Sequence, residues 1–216
     1  MRVKFLMSAL SAAVLAVGAA SPASANLIAN GTFASTCSGP GFCTYSAGDS
    51  TDIPGWTVQS GSVDLITTYW QAPPGGGNTI DLDGSAPGSI STQFSTVAGD
   101  SYLVTFYLSG NPDGSPATKE LEVSADGSSE DYTYTTGTNT HGNMEYSFET
   151  FKFVANVTGL STLLFASLDS DTPYGPVIGD VDAAAVPEPG SLGLLGGALL
   201  ALAGSFAFRR REKRSA

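Results

Sequence analysis

A two-residue period of apolar side chains is the strongest pattern in the middle of this 216-residue chain. In the β-branched and aromatic run from residue 102 to 108, Tyr102, Val104, Phe106 and Leu108 alternate with Leu103, Thr105 and Tyr107. Residues 120–125 repeat the pattern with two glutamates on the polar side. A two-residue period places alternate side chains on opposite faces of a strand, so both segments are predicted to be half-buried β-strands.

Shorter apolar or β-branched segments predict nine further strands, separated by clusters of Gly, Pro, Asn, Asp and Ser. They are residues 27–33, 56–58, 62–66, 79–82, 89–97, 131–135, 148–155, 162–168 and 177–181. The aromatic residues change phase between Phe148 and Phe151, which predicts a β-bulge or a strand start near Glu149 and Thr150. Many short strands with turns between them predict an all-β fold, most simply a jelly-roll β-sandwich.

The N-terminal segment has the pattern of an export signal. Arg2 and Lys4 precede an apolar run over residues 5–20, and Ala-Ser-Ala at residues 23–25 fits a small-residue cleavage site. Residues 1–25 are therefore predicted to be a signal peptide, and the sandwich is predicted to occupy residues 26–185.

The C-terminal segment, residues 186–216, contains three parts in a fixed order. The first part is the sequence Val186, Pro187, Glu188 and Pro189. A run of 17 mainly apolar residues, 192–208, comes next, and an arginine-rich end follows it. As a helix the run spans roughly 26 Å, close to the hydrocarbon thickness of a bilayer, and the basic end marks the cytoplasmic side. The pattern predicts a transmembrane helix.

These three parts together resemble the PEP-CTERM sorting signal of exported bacterial proteins. The resemblance implies that an exosortase, a membrane enzyme, recognises the Pro-Glu-Pro element as its partner. It also implies a precursor that is held transiently in the inner membrane by its C-terminal helix and is then sorted to the cell surface or extracellular matrix. The alternative is a plain single-span membrane anchor.

Charge narrows the possible partners. Only two of the nine basic residues, but 18 of the twenty acidic residues, lie between residues 26 and 185, which gives the predicted domain a net charge of −16. Such a surface repels nucleic acid and anionic lipid and favours neutral partners or divalent cations. Many exported domains are also acidic simply for solubility, so the charge alone names no ligand.

The two cysteines, Cys37 and Cys43, flank a Gly-Pro-Gly turn. Export places them in an oxidising compartment, where a structural disulfide is the expected outcome. A metal or redox role would need further cysteine or histidine partners, and the chain has one histidine and no other cysteine.

A second set of motifs runs through the predicted domain in a fixed order. They are Asn-Leu-Ile-Ala-Asn-Gly-Thr-Phe at 26–33, Ile-Pro-Gly-Trp-Thr-Val at 53–58, Gly-Ser-Val-Asp-Leu-Ile at 61–66, Ile-Asp-Leu-Asp-Gly at 80–84, Pro-Gly-Ser-Ile-Ser-Thr-Gln-Phe at 87–94 and Gly-Pro-Val-Ile-Gly-Asp-Val at 175–181. In this order they resemble the choice-of-anchor C family, itself similar to plant cell-wall proteins of unknown function. The resemblance implies an exported jelly roll of the galactose-binding-like type, without established enzymatic activity.

The resemblance also suggests a structural calcium site between the first and last strands. The residues that would form it here are Asn30, Thr32 and Asp180, by analogy with related jelly rolls. Two departures stand out: Ala34 takes the place of an acid often found after Asn-Gly-x-Phe, and Gly179-Asp180 replaces the common Asp-Asn.

Catalytic chemistry has little support in the sequence. His141, the one histidine, lies in a turn-like segment. The sequence has no Gly-x-Ser-x-Gly motif that would supply a nucleophilic serine for it to activate. Acid pairs such as Asp81 and Asp83 are expected by chance among so many carboxylates, and solvent exposure is the simplest expectation for them.

Sugar binding is the sharper hypothesis, because pyranose rings need flat aromatic faces flanked by hydrogen-bonding groups. Tyr69, Trp70 and Gln71 supply such a set ahead of a Gly-Pro loop. Tyr132 and Tyr134 on a predicted strand are a second possible platform. The alternative is that these aromatics are core residues, which is the stronger expectation for Trp56.

The sequence therefore predicts an exported, non-enzymatic β-sandwich that associates with surface or extracellular polysaccharide. A secreted glycan-active enzyme and a structural matrix protein without a ligand are the alternatives.

Overall fold

The computed structural model of the protein describes residues 25–187, together with Gly197. Residues 25–187 fall within one compact unit. They form eleven β-strands, which are β1 Phe42–Ser46, β2 Thr57–Ser60, β3 Ser62–Ile66, β4 Thr79–Asp81, β5 Ser89–Thr96, β6 Ser101–Gly110, β7 Thr118–Ala125, β8 Ser128–Thr135, β9 Ser147–Val154, β10 Gly159–Ser167 and β11 Pro176–Ala185.

The strands form two antiparallel sheets that pack face to face as a jelly-roll β-sandwich. One sheet has six strands in the order β1-β3-β4-β11-β6-β9, and the other has five in the order β2-β5-β10-β7-β8. Sheet neighbours such as β4 and β11 are far apart in the sequence, as jelly-roll connections require. The predicted all-β fold class is confirmed.

A continuous apolar core separates the two sheets. Its centre is a chain of aromatic rings in which Trp56 lies 4.8 Å from Phe33 and 6.2 Å from Phe165 between ring centroids. Phe106 continues the chain at 5.2 Å from Phe165. Large aromatic side chains that are fully desolvated dominate the energetics of such cores. The prediction that Trp56 is a core residue is confirmed.

The strand predictions succeed where the two-residue period is long and fail at the start of the domain. Residues 27–33 form turns, because Asn30 and Phe33 adopt φ angles of 62° and 50°, outside the extended region. The edge strand β1, Phe42–Ser46, was not predicted, since its five residues bury little of their surface.

The predicted irregularity near Glu149 and Thr150 is wrong. Strand β9 pairs with β6 in an unbroken register through this region. Phe151 and Phe153 enter the core, whereas Phe148 lies on the outer face and is 58% exposed. The change of phase therefore reflects aromatics on both faces of one regular strand. The register shift of this sheet lies in β11 instead, between Gly179 and Asp182.

The predictions for the two ends of the chain lie outside the described residues, apart from Ala25 at the end of the signal peptide and residues 186 and 187 at the start of the C-terminal segment. The predicted helix over residues 192–208 is outside them except for Gly197. Among the residues that the structure describes, none belongs to a helix with the length and hydropathy needed to span a membrane.

The predicted disulfide is confirmed. Cys37 and Cys43 are bonded, with their Cα atoms 5.7 Å apart. The bridge closes a small loop that leads directly into β1.

Removal of this bridge should lower stability by a predictable amount. Replacing both cysteines with alanine leaves the seven-residue loop open in the unfolded chain, so we expect the free energy of unfolding to fall by about 2 kcal/mol. Urea denaturation of residues 26–186, which contain all the strands and the core, measures the change. Reductant should bring the unaltered protein to the midpoint of the variant. Equal midpoints for oxidised protein and variant would contradict the expectation.

Candidate functional site

A cavity of about 370 Å³ lies on the outer face of the six-stranded sheet, over β1, β3 and β4. Its base is formed by strand side chains and its walls by loops from distant parts of the chain. The residues that shape it are Asp64, Ile66, Tyr69, Asp81, Asp113 and Tyr174.

Strand alternation explains why two acids share this cavity. Val63 and Leu65 enter the core, so Asp64 between them points outward. On the neighbouring strand Ile80 is buried in the core and Asp81 lies on the outer face, directly opposite Asp64 in the antiparallel register. Side chains at such positions are close neighbours, and like charges there repel.

Asp81 is fully buried at the base of the cavity and has three hydrogen-bond donors. Its Oδ2 accepts from Asn111 Nδ2 at 2.7 Å, and its Oδ1 accepts from the amides of Asp83 at 3.0 Å and Gly175 at 3.1 Å. Burial raises the pKa of Asp81 well above its usual range, whereas these hydrogen bonds act in the opposite direction. The three donors fix the carboxyl group in place.

Asp64 is more accessible. Thr44 Oγ1 donates a hydrogen bond to Asp64 Oδ1 from the adjacent edge strand β1. Burial raises the pKa of Asp64, and the Thr44 hydrogen bond partly offsets the effect. Asp64 therefore presents a partly exposed acceptor to the cavity.

Tyr69 forms one wall of the cavity and is 37% exposed. Its hydroxyl donates to Asp113 Oδ2 at 3.0 Å, and this hydrogen bond raises the pKa of Tyr69. The ring of His141 lies 4.6 Å from the Tyr69 ring, and His141 Nε2 is 2.7 Å from Asp113 Oδ1. Phe42 packs edge-on at 5.3 Å. The Tyr69 ring is thus held in one orientation.

The disulfide loop supports the same wall. Gly41, between the two cysteines, accepts hydrogen bonds from the amides of Thr67 and Thr68 at 2.8 and 3.2 Å. A Cβ atom at Gly41 would lie 2.9 Å from the backbone nitrogen of Tyr69, and Gly41 has a φ of 108°. Only glycine allows the two segments to approach so closely.

The structure places the three predicted sugar-binding residues differently from one another. Trp70 is 7% exposed, and its Nε1 donates to Thr79 Oγ1 at 2.9 Å while the ring packs against Ile66 and Met144. The expectation of an exposed Trp70 platform is wrong, because the indole N–H finds its partner on the outer face of the sheet.

Gln71 lies outside the cavity and joins two loops. Its side-chain Oε1 accepts a hydrogen bond from the backbone N–H of Met144 at 2.9 Å, and its backbone N–H donates to the His141 carbonyl at 2.7 Å. Of the predicted set, Tyr69 alone combines exposure with a position in the cavity wall.

The alternative platform of Tyr132 and Tyr134 is also wrong. Tyr132 packs edge-on against Phe106 at 5.3 Å, and its hydroxyl donates to the Thr150 carbonyl of the opposite sheet. The Tyr134 hydroxyl reaches the Met144 carbonyl. Both rings therefore face inward and help to close the sandwich.

Sequence reasoning missed Asn111, Asp113 and Tyr174 as site residues. All three lie in loops and reach the cavity only through the fold, Asn111 through an amide hydrogen bond to the Gly175 carbonyl. The Asn-Pro-Asp turn at residues 111–113 was a weak signal, since such turns often carry functional side chains.

The three residues of the predicted calcium site are drawn together only in part. Val181 donates to the Gly31 carbonyl, which brings the segment of Asp180 beside that of Thr32. The side-chain oxygen of Asn30, however, accepts from the Ala34 amide at 2.6 Å and closes a local turn. Among residues 25–187, no group of three or more His, Cys, Asp or Glu side chains is arranged to hold a metal ion. Calcium binding at this trio stays a prediction.

Behind the cavity lies a buried cluster of charged side chains. Lys119 is fully buried, and its Nζ donates to the carbonyl oxygens of Gly114 and Tyr174. Burial lowers the pKa of Lys119, and Asp81, Asp83 and Asp169 offset this effect. The lysine thereby ties the Tyr174 wall of the cavity to the opposite sheet.

Asp83 is the least satisfied member of this cluster, and its full burial contradicts the expectation of a solvated acid. Within the described part of the chain, neither carboxylate oxygen has a hydrogen-bond partner of good geometry. Burial raises the pKa of Asp83 to about 6; nearby Asp169 adds to the shift, while Ser167 and Lys119 oppose it. An acid with this environment destabilises the fold when it is ionised.

Comparison with known proteins gives two family matches. The sequence model described as "Protein of unknown function (DUF642)" matches residues 26–184. The model described as "PEP-CTERM protein-sorting motif" matches residues 185–211. The C-terminal segment is therefore that of an exported protein sorted to the surface.

Individual relatives are more distant. Halomucin from Haloquadratum walsbyi is 40% identical over 100 residues, which is 44% of this chain and 1% of halomucin, so the chain spans only a small fraction of that protein. The structure is similar to CBM35 from Paenibacillus barcinonensis, with 16% identity, a TM-score of 0.41 and coverage of 67% of this chain and 99% of that one. A family 35 carbohydrate binding module from Clostridium thermocellum matches with 14% identity, a TM-score of 0.44 and coverage of 66% and 96%.

Removal of the Asp83 charge should change how stability depends on pH. A folded-state pKa near 6, above the unfolded value near 4, means that the Asp83 contribution is favourable at low pH and is lost as the pH rises towards 6. In Asp83→Asn we expect this loss to disappear. Between pH 4 and pH 6 the free energy of unfolding of the variant should therefore rise relative to that of the unaltered protein, by up to about 1.4 kcal/mol per pH unit.

Urea denaturation of both proteins between pH 4 and pH 7 measures the difference. Asp131→Asn, which removes an exposed acid on β8, is the matched control and should run parallel to the unaltered protein. A parallel curve for Asp83→Asn as well would show that Asp83 does not titrate as described.

Proposed function

The chain belongs to the DUF642 family, and from that premise we propose that it is an exported surface protein that binds neutral polysaccharide without cleaving it. The binding site is the cavity over β1, β3 and β4. The observation that carries the proposal is the exposed Tyr69 ring, held rigidly beside the acceptors Asp64 and Asp113. A flat ring with adjacent hydrogen-bonding groups matches the apolar face and hydroxyls of a sugar.

The charge of the cavity selects the class of glycan. Asp64, Asp81 and Asp113 contribute to its lining, whereas none of its lining residues is a lysine or arginine. Carboxylates accept hydrogen bonds from sugar hydroxyls but repel uronic acids and sulfated sugars. Neutral polysaccharides are therefore favoured, and nucleic acid is disfavoured for the same reason.

A glycan-active enzyme is the second candidate, and one observation favours it. Asp64 and Asp81 face each other across β3 and β4, and burial raises the pKa of each; a raised pKa is what a glycosidase requires of its general acid. The position of Asp81 speaks against it, because a fully buried carboxyl group with three donors cannot reach a glycosidic oxygen. A matrix protein without a ligand is the third candidate.

The delivery route supports a role at the surface. We propose that residues 1–25 are removed as a signal peptide and that an exosortase recognises Pro187, Glu188 and Pro189. In this proposal the predicted C-terminal helix holds the precursor in the inner membrane before release to the cell surface or extracellular matrix. The finer assignment to the choice-of-anchor C family is part of this proposal.

Truncation of Tyr69 should weaken glycan binding. We expect Tyr69→Ala to lower the affinity of residues 26–186 for neutral polysaccharide roughly tenfold or more, since an aromatic anchor at a binding site commonly contributes over 1 kcal/mol. Affinity electrophoresis in galactan, galactomannan and β-glucan measures the loss, with polygalacturonate as the anionic comparison. Phe148→Ala, which removes another exposed aromatic far along the same sheet face, should bind normally.

The outcomes separate the three candidates. Release of reducing ends that Asp64→Asn abolishes would favour the enzyme. Retardation by polygalacturonate alone would overturn the choice of neutral glycans. Absence of retardation in every polysaccharide would leave the structural protein.

Processing of the C-terminal segment is a separate expectation. If an exosortase removes the helix, mass spectrometry of the protein from the cell surface should find no peptide from residues 209–216, while peptides from the sandwich are abundant. A strain without the exosortase should retain those terminal peptides in the membrane fraction. Their recovery from the surface protein of normal cells would indicate a permanent anchor.

A further inference from the structure

The five-stranded sheet carries a groove of its own on its outer face, with a volume of about 590 Å³. Side chains from three adjacent strands form it, two each from β2, β5 and β10: Thr57, Gln59, Ser91, Gln93, Thr162 and Leu164. Because their inward neighbours Val58, Ile90 and Phe165 are in the core, these side chains point away from the sandwich.

The groove is lined by hydroxyl and amide groups that hold one another in place. Gln59 Nε2 lies 2.8 Å from Ser91 Oγ, and Gln93 Nε2 lies 3.2 Å from Thr162 Oγ1. Each glutamine amide thus uses one of its two polar atoms within the groove and keeps the other for solvent. None of the lining residues is charged or aromatic, and Leu164 supplies the one large apolar surface.

We propose that this groove is a second binding site for a neutral polysaccharide chain, so that one molecule bridges two chains. Bridging rests on the function proposed above, because the cavity beside Tyr69 supplies the first site. The groove itself is a separate surface on the opposite sheet.

The composition of the groove favours a glycan over other occupants. Ordered amides and hydroxyls match the alternating donors and acceptors of sugar hydroxyls. A protein partner would need a more apolar centre than one leucine supplies. Anionic chains are disfavoured because the adjoining cavity, which shares Thr162 and Leu164, leads to Glu122 and Asp126.

The groove and the cavity lie on opposite faces of the molecule, so two segments of polysaccharide can bind at the same time. The cavity opens on the outer face of the six-stranded sheet and the groove on the outer face of the five-stranded sheet, with the whole core between them. Packed sheets are about 10 Å apart, and side chains add to this thickness on both sides. Two segments of polysaccharide therefore occupy the sites independently, and their combined effect is avidity on one polymer or a link between two.

The test compares a groove variant with a cavity variant in two measurements. The groove variant is Gln59→Ala/Gln93→Ala, the cavity variant is Tyr69→Ala, and Thr133→Ala on the exposed face of β8 is the control. Affinity electrophoresis in soluble galactan, galactomannan and β-glucan measures binding. Light scattering, as residues 26–186 are titrated into a dilute solution of the bound polysaccharide, measures bridging.

We expect the unaltered protein and the control to raise scattering to a maximum that falls again at excess protein. Each variant should retain binding with an affinity at least tenfold lower, but produce no rise in scattering, and the combined variant should not bind. Bridging by the groove variant at the unaltered level would overturn the second site while leaving the first intact. Loss of all binding in Tyr69→Ala would also overturn the second site, because an intact groove should still bind. Absence of binding by the unaltered protein would overturn both.

Discussion

Burial of one face of each sheet against the other is the constraint on which the rest of this molecule depends. Every strand with a side chain in the core, such as Val63 or Phe165, commits its alternate positions to the outside. The outward residues do not enter this core, and several of them carry the polar chemistry. Asp64 and Asp81 on one sheet, and Gln59 and Gln93 on the other, occupy their places for this reason.

The long alternating strands could be predicted from the sequence because their period is local. The two-residue period shows directly which side chains face the core in residues 102–108 and 121–125. The structure has β6 and β7 there. The strand predicted over residues 27–33 was wrong because apolar content alone does not reveal the positive φ angles of Asn30 and Phe33. The disulfide could be predicted because the two cysteines are close in sequence and have no other partner.

The site could be predicted only in outline. Tyr69 was found because adjacent aromatic and hydrogen-bonding side chains match the surface of a sugar, but Trp70 beside it satisfies its indole N–H against Thr79 instead. That outcome depends on a strand nine residues away. Asn111 and Asp113 reach the cavity through contacts between residues far apart in the chain, which no local pattern encodes. Buried Lys119 is similar, since its carbonyl partners belong to loops that only the folded sandwich brings together.

The loop closed by Cys37 and Cys43 carries Gly41, and Gly41 packs against the backbone of Tyr69. A disulfide of this kind forms outside the reducing cytoplasm. The wall that holds Tyr69 is therefore completed after translocation, when the chain has left the compartment in which it was made. The bond that secures this wall is in this way confined to the exported protein, and the cytoplasmic precursor carries the two cysteines as separate thiols.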